Sequence, residues 1–200
     1  MMNKILSILG LMVVVFGVAT IPAWADFETA ENAYLREDFE TAFREWEPLA
    51  HQGNAEAQNM LGFMYRWGQG VEQNFAKAQE WYRRAANQGY ATAQNNLGLV
   101  FRYGLGVPKD YQQAFQWFLR AAEQGNAAGQ NHLGLMYFKG EGVAQDYVQS
   151  YKWALLAADQ GMDPAIQALS MLEEVLTPAQ IEEAKALARA WKPKGPEAVL

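Results

Sequence analysis

The sequence predicts an all-α solenoid of antiparallel helix pairs, on three observations. A 36-residue pattern recurs three times without a gap, which marks a stack of like units rather than one irregular core. Each copy holds two apolar stripes at helical spacing, parted by a glycine-rich turn. The composition, 50% hydrophobic and 19% charged, supplies enough apolar surface for a continuous core.

Residues 1–25, MMNKILSILGLMVVVFGVATIPAWA, read as an address. One cation, Lys4, precedes an uncharged run from Ile5 to Ala19, then Pro22 and the triplet Ala23-Trp24-Ala25. That order is the pattern of a secretory signal peptide cut after Ala25. The run is short for the about 20 residues of a membrane-crossing helix, so no stable anchor is expected after cleavage. Asp26 follows the cut, where lipid attachment would need a cysteine. The mature chain is therefore expected in a bacterial periplasm or outside the cell.

Residues 26–53 form a partial copy that caps the N-terminal end. It has a short helix (ETAENAYLRE), a turn at Asp38, and a second helix with Ala42, Trp46 and Ala50. Three full copies fill 54–161, at 55–89, 91–125 and 127–161. In the first, Ala57, Leu61 and Tyr65 at spacing four give one helix its apolar face. Gly62, Gly98 and Gly134 follow the stripe's leucines, where a missing side chain lets a second helix come close. Gly68 and Gly70 end the helix, because glycine accepts a left-handed cap, and Val71, Val107 and Val143 return an apolar plug. Asn74, Asp110 and Asp146 are N-caps for the second helix, with Gln113 and Gln149 expected to complete capping boxes. Phe75, Ala78, Trp81, Tyr82 and Ala85 form its buried stripe. Residues 162–191 are a C-terminal partial copy. There DPAIQALSMLEEVL matches a first helix, and Thr177-Pro178-Ala179-Gln180 opens a capping helix. Residues 192–200, with two prolines and a glycine, are expected to be a flexible tail.

The pattern A-x-A-x-x-x-L-G-x-x-[YF]-x-x-G-x-G-V, then [DN], A and W, then A-A-x-x-G, resembles the Sel-1-like repeat, a relative of the tetratricopeptide repeat. The likeness is close from Ala55 to Gly161 and looser from about Asp26 to Trp191, with departures at Asn74, Gly129 and Ser150. It implies a right-handed α-solenoid that acts as a protein-interaction scaffold without catalysis.

On a helix turning 100° per residue, the arc opposite the apolar stripe corresponds to the concave face of tetratricopeptide repeats. Asn59, Asn95 and Asn131 form a ladder there, and an amide can donate to and accept from a peptide backbone at once. Asn96 and His132 stand beside it. Phe63, Leu99 and Leu135 make an apolar row, with Trp67, Tyr103 and Phe138 near the rim. Arg66 and Arg102 are forks for a carboxylate. The set suits an extended or helical peptide lying in a groove. A plainer reading stands beside it: the apolar positions pack against the neighbouring first helix, and the asparagines satisfy local backbone.

Composition narrows the rest. The net charge is −6, the wrong sign for coating nucleic acid. With no cysteine and only His51 and His132, neither a metal site nor a thiol nucleophile can be assembled. No cofactor is expected. The expected function is a monomeric, non-catalytic scaffold of the cell envelope, with a protein or peptide in its groove. A glycan- or peptidoglycan-binding module is the alternative, stacking sugars on Trp67 and Tyr103. A cell-wall enzyme is a third reading, but Ser150 and Ser170 are the serines beyond the signal and neither precedes x-x-Lys.

Overall fold

The computed structural model describes residues 26–195; the expected signal peptide and residues 196–200 lie outside the described residues. Ten α-helices and no strand make up the described part. They are α1 (Phe27–Leu35), α2 (Phe39–His51), α3 (Ala55–Trp67), α4 (Phe75–Asn87), α5 (Ala91–Tyr103), α6 (Tyr111–Glu123), α7 (Ala127–Lys139), α8 (Tyr147–Ala158), α9 (Asp163–Glu173) and α10 (Pro178–Ala190). None is long and apolar enough to cross a membrane.

Local chemistry sets the helix ends. Asn74, Asp110 and Asp146 accept from the backbone N–H three residues on, at 3.0, 2.9 and 3.0 Å. Gly68, Gly104 and Gly140 end the first helices in the left-handed region, at φ 68°, 70° and 70°. The capping boxes expected at Gln113 and Gln149 do not form as such. The cap N–H groups of Asp110 and Asp146 already donate to the carbonyls of Phe101 and Tyr137, both at 3.0 Å, and Gln113 turns its amide to the Asp110 carboxylate at 2.8 Å instead. Thr177 and Gln180 do close a full box at α10.

Helices pair as α1·α2, α3·α4, α5·α6 and α7·α8, and each second helix packs on the next first helix. The last pair differs. α10 lies against α8, beside α9, because no further repeat covers the outer side of α8. Trp191 meets Trp153 edge-on at 6.1 Å. Residues 192–195, expected to be flexible, carry no regular structure, yet Lys194 donates its backbone N–H to the Glu123 carbonyl at 2.7 Å.

Two buried devices join the units. The first is a row of rings: Trp46, Tyr82 and Phe118, all at most 1% exposed, each fill the notch between their own pair and the next first helix. A Cβ on Gly62 would lie 2.6 Å from the Tyr82 ring, and one on Gly98 2.6 Å from the Phe118 ring. The second device is a glutamine ladder. Gln58, Gln94 and Gln130 donate to the carbonyls of Ala50, Ala86 and Ala122 at 2.9, 3.2 and 3.3 Å. Their own Oε1 atoms accept from Gln88, Gln124 and Gln160 at 2.7, 2.7 and 2.8 Å. Every rung is buried and bonded at both ends, so the cost of desolvating its amide is offset by protein hydrogen bonds. Trp81, Trp117 and Trp153 are buried at equivalent places, as expected.

Candidate functional site

The arc opposite the stripe divides into a closed seam and an open rim. Asn59 and Asn95 belong to the seam, each only 6% exposed. Asn59 Oδ1 accepts from Asn96 Nδ2 at 2.9 Å, across the junction of two repeats. Asn131 is half-buried. The expected open ladder of asparagines is therefore a correction: two of its three rungs are buried, and Asn59 is bonded to the next first helix, because the following repeat covers that side.

Arg102 is also corrected from an open fork to a buried ion pair. It is 6% exposed, and its Nε donates to Glu141 Oε2 at 2.9 Å. His132 sits with its ring 4.9 Å from that of Phe118. Burial first, and then the Arg102 charge, push its pKa down to about 4. Asn95 Oδ1, Arg102 Nη1 and His132 Nδ1 have no hydrogen-bond partner.

The rim is open. Trp67 and Tyr103 are 55% and 51% exposed, with the guanidinium of Arg66 5.0 Å from the Trp67 ring and that of Arg102 5.5 Å from the Tyr103 ring. Such stacking holds a flat aromatic face beside a fixed positive charge. Phe63, Leu99, Leu135 and Phe138 are half-buried. Phe63 packs between Tyr34 and Trp67, and Phe138 against Tyr147. Among the described residues no group of three or more His, Asp or Glu could hold a metal ion.

The same rows run one helix further than the three full repeats. Met171 on α9 and Val175, just past its end, lie 36 residues beyond Leu135 and Lys139, extend the same rows, and are 56% and 55% exposed. Beside Met171 a cavity of about 160 Å³ lies between α7, α8 and α9. Three of the expected site residues, Asn131, Leu135 and Phe138, line it. The signal for the added residues was the same period carried one copy further.

The Sel1 repeat model matches residues 55–90, 91–126 and 127–162. A Sel1 repeat protein from Oxalobacter formigenes is 34% identical over 73% of this chain and 60% of its own, with a TM-score of 0.68. A protective antigen present in uropathogenic Escherichia coli strains, displaying an SLR fold, is 35% identical over 80% of this chain and 37% of its own, with a TM-score of 0.71. The chain thus spans less than two thirds of the length of either. No curated protein matches it. Three matched units in unbroken succession, over a described chain that is helical throughout and stacked like those two structures, make this chain a member of the Sel1 repeat family.

Proposed function

We propose that this protein is a non-catalytic scaffold of the bacterial cell envelope that holds a protein or peptide along its first-helix face. Sel1 repeat proteins are generally protein-interaction scaffolds. The observation that carries the site is the exposed pair Trp67 and Tyr103, one repeat apart, each beside an arginine and in line with Val175 just past α9. Exposed aromatics fixed by neighbours are the residues that dominate binding energy at protein interfaces. The envelope assignment rests on residues 1–25, whose order of cation, apolar run and Ala-x-Ala matches a secretory signal.

Capture of partners from periplasmic extract tests this, comparing the protein with its Trp67→Ala/Tyr103→Ala variant. The variant should bind the captured partner at least about tenfold more weakly, corresponding to about 1.4 kcal/mol. Its Tm should stay close to that of the parent, because both side chains are half exposed. Equal capture by both proteins overturns the site. The same exposed rings could stack on sugars, so co-sedimentation with purified peptidoglycan runs in parallel. Sedimentation that depends on Trp67 and Tyr103, without protein capture, would favour the glycan reading.

A further inference from the structure

Four notches separate a helix pair from the next first helix, and three are filled from within. Trp46, Tyr82 and Phe118 place rings in the first three, at 1%, 0% and 0% exposure. Ala154 stands at the fourth, 36 residues after Phe118, and there the cavity of about 160 Å³ opens between α7, α8 and α9. Ser150 stands beside it, where the two preceding repeats have Ala78 and Ala114. The cavity is thus the space of a ring that the third repeat lacks.

We propose that this notch receives an aromatic side chain from a partner protein. The class of occupant is given by the chain itself, which fills each equivalent notch with an aromatic ring. Volume agrees: an apolar cavity of about 150 Å³ accepts a benzene molecule, whereas small-molecule sites start near 300 Å³. No charged side chain lines the notch, so a charged group would enter at the full cost of desolvation. Phe138 forms part of its wall and offers a ring for edge or offset packing. The mouth reaches the surface at Pro164 and Met171, both exposed, and Met171 continues the row of Phe63, Leu99 and Leu135 beside the rim. A ring carried by a peptide on the first-helix face therefore enters without the repeats moving apart. This inference rests on the scaffold reading above and adds to it the side chain that anchors the partner.

The test is methyl NMR of Met171 and Leu135, with acetyl-Ala-Phe-Ala-amide as probe and acetyl-Ala-Ala-Ala-amide as control. The phenylalanine peptide should give saturable shifts at millimolar concentration and the alanine peptide none. Ala154→Phe, which supplies the missing ring in cis, should weaken probe binding at least tenfold. A Cβ on Gly134 would already lie 3.2 Å from the Ser150 carbonyl oxygen, so α8 runs close and Ala154→Phe can fail to fold. Ala168→Leu, which enters the cavity from α9, is therefore made alongside and should weaken binding by a similar factor. Absence of saturable shifts in the parent protein overturns the proposal, as do equal shifts in folded Ala154→Phe or Ala168→Leu. A parent dimer that either variant dissociates assigns the notch to a second copy and overturns it too. Loss of partner capture in the Trp67/Tyr103 variant concerns the rim; the peptide shifts at Met171 concern the notch, so the two readings fail separately.

Discussion

His132 and Asn96 hold the same place in successive repeats, and the exchange turns an amide contact into a titrating one. Asn96 donates to Asn59 across the first junction at 2.9 Å. At the second junction Asn95 Oδ1 and His132 Nδ1 are both buried without a partner. Protonating His132 there would place a second cation near Arg102, whose nearest acid, Glu141, is already engaged. The folded-state pKa is accordingly depressed to about 4 from an unfolded value of 6.5. The unfolded chain therefore binds a proton between pH 6.5 and 4 that the folded protein refuses. Stability is complete above 6.5 and falls with pH through that window, by at most about 3 kcal/mol. His132→Asn copies the preceding repeat and removes the titration. Denaturant unfolding of both proteins at several pH values should show their stability difference shifting toward the variant by up to about 3 kcal/mol between pH 7 and 4. Every other group is common to both proteins and cancels in the difference. Parallel curves would mean that His132 is solvated.

Among the elements, α10 decides how the stack ends. It buries Ala184 and Ala188 and, with Trp191, covers the outer side of α8. Removing residues 177–200 should expose Tyr151 and Trp153, which are now 2% and 4% exposed, and lead to aggregation or a Tm at least about 10 °C lower. Removing residues 196–200 alone should change stability by less than about 1 kcal/mol, since the Lys194–Glu123 ion pair stays and is itself a surface pair. Equal behaviour of the two truncations in light scattering and thermal melts would show that α10 covers nothing essential. The sequence made α10 legible as a helix, because Thr177, Pro178 and Gln180 are a local start signal. Its place on α8 was not legible, since docking depends on which surface the last repeat leaves bare. The same division runs through the rest. Glycine caps, N-caps and the Trp81–Trp117–Trp153 register follow from neighbours in sequence or from the period itself. Burial of Asn59, Asn95 and Arg102 depends on how closely one first helix approaches the next, which a helical wheel drawn for a single helix cannot hold. The glutamine ladder lay within reach: Gln58, Gln94 and Gln130 recur with the period, as do Gln88, Gln124 and Gln160. It escaped because recurring polar residues on an otherwise apolar face read as solvent-facing until their partners are known.

For the whole molecule, the consequence of stacking is that any internal unit is replaceable by the next. Each of the first three junctions uses the same parts: a ring in the notch, a glutamine rung bonded at both ends, and a turn glycine against the preceding second helix. Deleting residues 91–126 joins Tyr90 to Ala127 and brings α4 against α7. Tyr82 then meets Leu133 and Met136 in place of Leu97 and Val100, which stand 36 residues before them. Gln130 finds the Ala86 carbonyl where it had that of Ala122, and keeps Gln160. The turn around Gly142 comes to rest on Phe75, where Gly106 rests now. No surface is left unmatched, so the shortened protein should stay soluble and helical and melt cooperatively, at a lower Tm because one junction is gone. Deleting only residues 91–108 removes a first helix and leaves α4 and α6 with no partner between them, so that protein should unfold or aggregate. Circular dichroism and thermal melts of the two deletions decide the matter. If both unfold alike, the repeats depend on contacts beyond their neighbours, and the stack is held together as one cooperative core.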